Sequence, residues 1–508
     1  MSSPLARDDD DVFERLKSAV DPAVVSEREK AVQERVRLQY EKAQRRLAEL
    51  IEENSTLPVT IADIRIHGVK NTREGFLHKV FADALKEEKQ RSYTLNSALE
   101  ELQKTTQKLH RFGIFHPNIS MYLDQAHAAF GDRTPISAFI SVQERGRLQL
   151  NTGTEVGNAE GGGYFNATIR NVFGGAETLY ASASTATSTA DVGHRTRSSY
   201  ELTFATPINA DPDTVFDIGA FRASRSNHYF ASHEEAQQGV RAGLRFLTDY
   251  GSHELNYNGV WRQVSNLSPD ASPSVRADAG DSVKSSITHT LTRDTRDSKL
   301  LPTTGSLLKG ITELAGLGGD VSFLKTQVEA QRSLPFSHGI SFSTGLRAGV
   351  LVPLPQGLGF SENATPPRPS RINDRFFLGG ATDIRGFREN GLGPRDGNDA
   401  VGGDVYVAGG ASLFLPLPRL GAESPFRLQA FVNGGRLVAL QQSTGVKEGL
   451  LGALREMGVG YPSMAAGVGL VYAHPVARFE LNFALPVVKR EEERARKGLQ
   501  FGVGISFL

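Results

Sequence analysis

Alternation of large apolar residues with small or polar ones limits the folds open to this chain more than any other feature of its sequence. In FELNFAL, residues 479–485, every second side chain is large and apolar, whereas Glu480, Asn482 and Ala484 lie between them. In FGVGISF, residues 501–507, glycine or serine occupies the alternate positions. Successive side chains of a strand point to opposite faces, so each segment predicts a strand with one apolar and one polar face. The same pattern occurs at residues 148–152, 164–170, 202–205, 244–246 and 428–432.

Two fold classes produce such alternation: a water-soluble sandwich and a membrane barrel with an aqueous lumen. Residues 146–508 form one long region of predicted strands and Gly-rich connections without a helical layer, and this size favours the barrel. At roughly 22 to 24 residues per strand and connection, the region yields about 16 strands, within the range of membrane barrels. We therefore predict an all-β transmembrane barrel of about 16 antiparallel strands, closed because unpaired backbone groups are costly in lipid.

Glycine usage separates this region from the N-terminal part of the chain. Of 52 glycines, only Gly68, Gly75 and Gly113 precede residue 131. Residues 1–56 form a charged arm, and residues 22–53 lack glycine and, after Pro22, lack proline, which predicts a helix. The simpler interpretation of this arm is a solvated helix, and the alternative is a docking arm for a partner.

A small α+β domain is predicted for residues 57–145. Apolar spacing indicates the order strand, helix, helix, strand, strand. With GVKNT after the first strand and LHRFGIF after the second helix, the segment resembles a POTRA domain, a module that precedes the barrel in outer-membrane assembly proteins. The resemblance implies one N-terminal POTRA domain.

Several classes of function are excluded or disfavoured by composition and motifs. The absence of cysteine excludes disulfides and thiolate–metal sites, and zero net charge gives no electrostatic case for nucleic-acid binding. The sequence has no HExxH, P-loop or GxSxG motif, so we expect no enzyme activity, no cofactor and no bound metal. The N-terminus, with four consecutive aspartates from Asp8 to Asp11, fits neither a signal peptide nor a matrix transit peptide.

A segment rich in Gly, Pro and Asn, residues 353–403, is far longer than a hairpin connection needs. It contains DRFFLGGATDIRGF, which closely resembles loop six of the outer-membrane barrel-insertase superfamily. That superfamily includes bacterial BamA and the mitochondrial sorting-and-assembly channel. The segments GYFNATIRNVFGGAETL, LTRDTRDSKLLPTTGSLL and GVGLVYAHPVARFELNFALPV resemble other barrel strands of the superfamily. The resemblance implies that the loop folds into the lumen, where a tip formed by Ile384, Arg385, Gly386 and Phe387 docks on the inner wall.

Arg385 needs a partner if it lies inside a barrel, because its guanidinium is permanently charged. We expect Glu480 to be that partner, since it falls on the polar face of its predicted strand. Asn433, in FVNGG, stands where many superfamily members have aspartate, and it is a second candidate for a neutral hydrogen bond. Without the resemblance, a solvated loop cation is an equally good interpretation of Arg385.

The first and last barrel strands, at about residues 147–156 and 499–508, are predicted to pair along a seam that can open toward the lipid. We call this seam the lateral gate. Glycine weakens strand packing, so Gly153, Gly502 and Gly504 make this seam a weak point. The predicted gate consists of these three glycines together with Leu148 and Leu150 of the first strand. The last strand also fits the terminal β-signal of mitochondrial barrel precursors, through Gln500, Gly502, Ile505 and Phe507.

The resemblance implies a protein that inserts β-barrel precursors into the mitochondrial outer membrane, with its POTRA domain in the intermembrane space. The implied partners are barrel precursors, peripheral subunits on the cytosolic face and membrane lipid, without nucleic acid. Two alternatives stay open: a transporter of the two-partner-secretion type, and a passive pore.

Overall fold

The computed structural model describes residues 22–90, 92–126, 134–157, 160–188, 196–356, 367–418, 424–440, 446–475 and 477–504. The chain forms two compact units. The first comprises Met1–Lys70 and Glu74–Arg145, and the second comprises Asn71–Arg73 and Gly146–Leu508.

The first unit is a three-stranded sheet with helices. In chain order, its elements are α1 (Pro22–Glu53), β1 (Val59–His67), α2 (Glu74–Phe81), α3 (Glu87–Gln90), α4 (Leu95–Arg111), β2 (Ser120–Gln125) and β3 (Thr134–Ser141). The central strand β3 pairs parallel to β1 and antiparallel to β2. The predicted order of strands and helices is present, with the four-residue α3 added. Its identity as a POTRA domain stays a prediction.

Helix α4 begins where the sequence provides a cap. The Thr94 hydroxyl accepts a hydrogen bond from the Ser97 N–H, while the Ser97 hydroxyl accepts one from the Thr94 N–H. This reciprocal arrangement satisfies two donors that a helix start leaves free. The helix then buries Ala98 and Leu102 against the sheet residues Val59 and Ile136. The core of the unit is therefore built from the apolar periodicity that the sequence displays.

The second unit is a single 16-stranded sheet in which each strand pairs antiparallel with its neighbours along the chain. This confirms the predicted fold class. Its strands are β4 (Leu148–Gly157), β5 (Glu160–Arg170), β6 (Thr178–Ser188), β7 (Thr196–Pro207), β8 (Val215–Ser226), β9 (Glu234–Thr248), β10 (Gly251–Ser265), β11 (Gly280–Asp294), β12 (Gly305–Gly319), β13 (Phe323–Pro335), β14 (Ser341–Pro353), β17 (Val405–Pro416), β18 (Phe426–Val438), β19 (Ser463–Ala473), β20 (Arg478–Val488) and β21 (Gly498–Gly504). A two-residue ribbon, β15 (Arg395–Asp396) and β16 (Asp399–Ala400), lies between β14 and β17.

In the described part of this unit, two α-helices lie in the connections between strands, α5 (Pro273–Ala277) and α6 (Val446–Gly458). Within the described residues, none of the helices is both long and apolar enough to cross a bilayer.

The two faces of the sheet differ as the alternation predicts. On β20, Leu481 and Phe483 are exposed on the outward face, while Glu480, Asn482 and Ala484 are buried on the inward face. Outward side chains of the other strands are likewise mostly large, apolar and exposed, whereas the buried inward ones include both polar residues, such as Gln429, and large apolar residues, such as Phe323 and Leu351. The sheet therefore has an apolar exterior and a filled interior that is partly polar.

The sheet curves back on itself, as contacts of one short segment demonstrate. The N–H of Ala400 donates to the Phe230 carbonyl in the β8–β9 connection, and Arg494 in the β20–β21 connection donates to Asn398. In a flat sheet these connections would be about 48 Å apart, because ten strand spacings of about 4.8 Å separate them. Asn398 and Ala400, however, are two positions apart, and two residues of chain span only about 7 Å. Both connections therefore meet at the same place, and the sheet encloses an interior.

Candidate functional site

The connection between β14 and β17, residues 354–404, is the sixth on its side of the sheet, and we call it loop six. Its apolar side chains are buried against inward residues of several strands. The cluster contains Phe376, Leu378, Ile384, Phe387 and Leu392 from the loop, with Ala315, Phe323, Leu351, Tyr406, Ala408, Leu437 and Ala465 from the strands. Loop six therefore fills the interior of the sheet.

A tight turn precedes the tip of loop six. The Asp383 carboxylate accepts a hydrogen bond from the Gly379 N–H at 2.8 Å. The Gly380 carbonyl accepts from the Asp383 N–H at 3.2 Å, and the Gly380 N–H donates to the Ile384 carbonyl at 3.3 Å. This turn reverses the chain just before Arg385, so the next residues project toward the wall.

Arg385 and Glu480 form a buried two-point ion pair. The guanidinium Nε and Nη2 of Arg385 donate to the two carboxylate oxygens of Glu480 at 2.9 and 3.2 Å. Their side chains are 1% and 0% exposed. Glu480 also pairs with Arg478 on its own strand and accepts from the Asn482 amide at 2.6 Å. One carboxylate thus forms ion pairs with two guanidinium groups, and all three groups are out of contact with solvent.

The structure corrects the second candidate partner, Asn433. This residue lies inward on β18, but neither polar atom of its amide has a hydrogen-bond partner among the described residues. The guanidinium carbon of Arg385 lies 4.8 Å from the ring centroid of Phe431, two residues earlier on the same strand. Arg385 therefore turns its edge to Glu480 and its face to an aromatic ring, and its contact with β18 is a cation–π one.

Gly386 and Phe387 fix the tip on the last hairpin. Gly386 has a φ of +86°, and a Cβ there would lie 2.6 Å from the Ala465 Cβ, so only glycine fits. Its N–H donates to the Gln500 side-chain carbonyl at 2.9 Å, and the Gln500 amide donates to the Phe387 carbonyl at 3.4 Å. The Gly386 carbonyl accepts from the Arg496 N–H at 2.8 Å. The tip therefore binds both β21 and the connection that leads into it.

Two further ion pairs anchor loop six, and sequence reasoning missed both. Arg262 on β10 holds Asp374 with two bonds, at 2.6 and 3.1 Å, in a fully buried pair. Arg347 on β14 donates to Asp383 at 3.1 Å. The available signal was a pair of acids inside the loop motif and basic residues at inward strand positions. That signal does not say which acid meets which base.

A second connection also reaches the interior, between β11 and β12. Leu301 in this connection is buried against Phe414 and Val471, on β17 and β19. The Leu300 carbonyl accepts from Arg478 at 3.4 Å. Strands near the end of the chain are therefore contacted from loop six and from this connection.

The predicted gate residues lie on the two strands at the ends of the sheet order, β4 and β21. Leu148 and Leu150 are exposed on the outward face of β4, and Gly153 lies on the other face. Gly502 and Gly504 lie opposite Glu480 and Arg478 in the β20–β21 ladder.

No ladder joins β4 to β21 among the residues that the structure describes. Of the predicted β-signal, Gln500 and Gly502 face inward, whereas Ile505 and Phe507 lie outside the described residues.

The fold and this site define a β-barrel with an apolar exterior and with its sixth loop folded into the interior. The Omp85 superfamily domain matches residues 171–507. The SAM50-like protein of Schizosaccharomyces pombe is 40% identical over 487 residues, which cover 94% of this chain and 97% of that protein. The human sorting and assembly machinery component 50 homolog is 31% identical over 455 residues, 89% of this chain and 91% of that protein. The chain therefore belongs to the Omp85 superfamily and, within it, to the sorting and assembly machinery component 50 homologues.

The fold has a solved counterpart. BamA from Haemophilus ducreyi, lacking POTRA domains 1–3, matches with a TM-score of 0.68 at 14% sequence identity, covering 88% of this chain and 84% of that chain. The family match and the SAM50-like relative confirm the superfamily resemblance inferred from the loop motif.

Proposed function

We propose that this protein inserts and folds β-barrel precursors in the mitochondrial outer membrane, through a lateral gate between β4 and β21. Membership in the family supports a role in β-barrel assembly. The observation that carries the more specific proposal is the attachment of the loop-six tip to the last hairpin, through Glu480 on β20 and Gln500 on β21.

The attachment determines where the barrel opens. Loop six ties β20 and β21 to the interior through an ion pair and amide hydrogen bonds, so these two strands stay together. The seam between β21 and β4 has no such tie in the described residues. Gly502 and Gly504 weaken β21, since glycine in a strand leaves no side chain to pack. The β4–β21 seam is therefore the place where the barrel parts.

An open seam presents an unpaired strand edge, which is a template for another chain. A precursor adds its C-terminal β-signal to this edge by β-augmentation, and its following hairpins enter in turn. Backbone hydrogen bonds drive the reaction, because an unpaired edge is costly in lipid. No covalent step, cofactor or metal is needed.

The remaining parts of the chain have supporting roles in this proposal. The first unit is a POTRA domain that faces the intermembrane space and receives precursors. Peripheral subunits bind the cytosolic face, and membrane lipid surrounds the barrel. The arm of residues 1–56, of which residues 1–21 lie outside the described part, is a solvated helix or a docking arm.

Disulfide locking tests the gate. The chain has no cysteine, so an introduced pair is unique. Gly153→Cys is combined in turn with cysteine at Gln500, Gly502 or Gly504, and precursor insertion is measured in vesicles before and after oxidation. We expect the locked barrel to lose insertion and a reductant to restore it. Undiminished insertion by a locked barrel, or failure of every pair to crosslink, would refute the gate.

The matched control locks together two strands in the middle of the sheet order, away from the proposed gate. Thr312 and Thr326 lie directly opposite each other in the β12–β13 ladder. A disulfide between cysteines at these positions should leave insertion unchanged.

The same vesicles separate the alternative functions. A passive pore conducts ions without binding precursors, and a two-partner-secretion transporter releases its substrate across the bilayer.

A further inference from the structure

Helix α6 lies over the outward face of the sheet, at the loop-six ends of three strands. Val350, Val405 and Val438 are direct partners in the ladders of β14, β17 and β18, so they form one row across the sheet. Strand alternation assigns this row to the outward face. Val405 is two positions from the exposed Val407, and Val438 is six positions from the exposed Val432.

The helix covers this row. Val405 and Val438 are each 4% exposed, whereas Val407 and Val432 on the same faces are 41% and 46% exposed. The covering side chains are Leu450, Ala453 and Met457, which occupy one side of α6. The outer wall therefore has a helix packed onto it at its rim.

Arg436 explains why the helix is held there. It has the outward orientation of Val432 and Val438, and a guanidinium that faces lipid is destabilising, most strongly at mid-membrane and less near the interface. In the structure Arg436 is buried, and its Nη1 donates to the carbonyls of Met457 and Val459 at the C-terminal end of α6. Glu456 lies 3.6 Å away. The helix end thus supplies the acceptors and the negative dipole that this cation needs.

A second side of α6 is uncovered and, after the exposed Lys447, apolar. Leu451 and Leu454, three positions apart and therefore neighbours on the helix surface, are exposed, as are Val459 and Tyr461 just beyond its end. Arg455 and Glu448 occupy a third, charged side. Amphipathic helices with such sides lie in the membrane interface, and tyrosine is enriched at that depth.

We infer that α6 is an interfacial membrane anchor. Its side bearing Leu451 and Leu454, extended by Val459 and Tyr461, inserts into the boundary between headgroups and acyl chains of the leaflet on the loop-six side. Lipid is the occupant because the helix is packed onto the outward apolar wall and its uncovered side continues that wall. The inference depends on the barrel spanning a membrane, and it is independent of insertase activity.

Site-directed fluorescence tests the anchor, since the chain has no native cysteine. Leu454→Cys and Arg455→Cys place the same environment-sensitive label one residue apart, on the apolar and the charged side. Val432→Cys provides a lipid-facing reference. The full chain is reconstituted into phosphatidylcholine vesicles that contain a lipid with a nitroxide near the headgroup, and quenching is compared with that by aqueous iodide.

We expect nitroxide quenching at position 454 to exceed that at position 455 by about threefold, with the order reversed for iodide. Equal quenching at the two positions, or iodide quenching that is stronger at 454, overturns the inference. The measurement is repeated in isolated outer membranes. If the label at 454 escapes both quenchers there, a protein subunit covers this side, and the lipid assignment is likewise overturned.

Discussion

Arg385 and Glu480 are 95 positions apart in the chain, yet their side chains meet in a buried two-point ion pair. Glu480 pairs with Arg478 as well, so one buried carboxylate is shared by two guanidinium groups. The pair joins the tip of loop six to β20, one strand from the proposed gate.

Replacing Glu480 with glutamine keeps the shape of the side chain and removes its charge. Two buried cations then lose this counter-charge, and breaking a buried ion pair costs about 3 to 5 kcal/mol. We expect Glu480→Gln to lower the urea midpoint of the reconstituted barrel and to make loop six accessible to protease.

The matched control for this variant is Glu201→Gln. Glu201 pairs with Arg241 at 3.0 Å, and both side chains are about one-third exposed. Losing such a pair should cost less than about 1 kcal/mol. If the two variants have the same stability, the ion pair of Arg385 does not hold loop six.

Replacing Gly386 with alanine should displace the tip without altering any charge. The added Cβ would lie 2.6 Å from the Ala465 Cβ, and the left-handed φ adds strain. Gly397 is the control, because its φ is +59° and nothing lies within 4 Å of a Cβ there. Gly397→Ala should show the strain alone, about 1 kcal/mol. We expect a distinctly larger loss of stability and faster hydrogen exchange in β21 for Gly386→Ala, and equal effects would exclude the clash.

The local sequence pattern was sufficient to predict much of this fold. Alternation on β20 predicted the inward position of Glu480, because the two-residue period of a strand is a property of the chain itself. The resemblance of the loop motif to the superfamily, rather than the residues alone, implied that Arg385 would enter the interior. Both predictions depended on residues close together in sequence.

The remaining features depend on register and curvature, which no local pattern encodes. Arg262 and Asp374 meet across 112 positions only because β10 curves round to face loop six. The position of α6 on the outer wall is of the same kind. Whether such a helix covers the inside or the outside of the rim depends on which strand ends lie beside it.

Leu301, in the β11–β12 connection, offers a test of the second interior contact. Its side chain is buried between Phe414 and Val471, so Leu301→Ala removes packing and leaves a cavity. We expect a loss of about 2 kcal/mol, at the lower end for buried leucine. Leu308→Ala, on the exposed outward face of β12, should have a smaller effect because lipid replaces the lost contacts. Equal unfolding midpoints for the two variants would show that the connection does not brace the interior.

Asp297 makes the same connection sensitive to acid. Its carboxylate accepts hydrogen bonds from the Thr303 N–H and hydroxyl and from the Thr304 N–H. Burial raises the pKa of Asp297, but these hydrogen bonds outweigh it, so the pKa lies below its ordinary value. The folded state therefore favours the charged carboxylate of Asp297. The resulting stabilisation of the fold is fully present above the pKa of aspartate in the unfolded chain, about 3.9.

That stabilisation is lost as pH falls through the lowered folded pKa of Asp297, so the connection should open at acidic pH. Hydrogen exchange of residues 295–304, corrected for the intrinsic pH dependence of exchange, should be slow at neutral pH and accelerate below about pH 4. Asp297→Asn cannot titrate, so its protection should be weaker at neutral pH and unchanged across this range. If wild type and variant respond to acid alike, another group controls the connection, because only the aspartate can lose these charge-assisted hydrogen bonds by protonation.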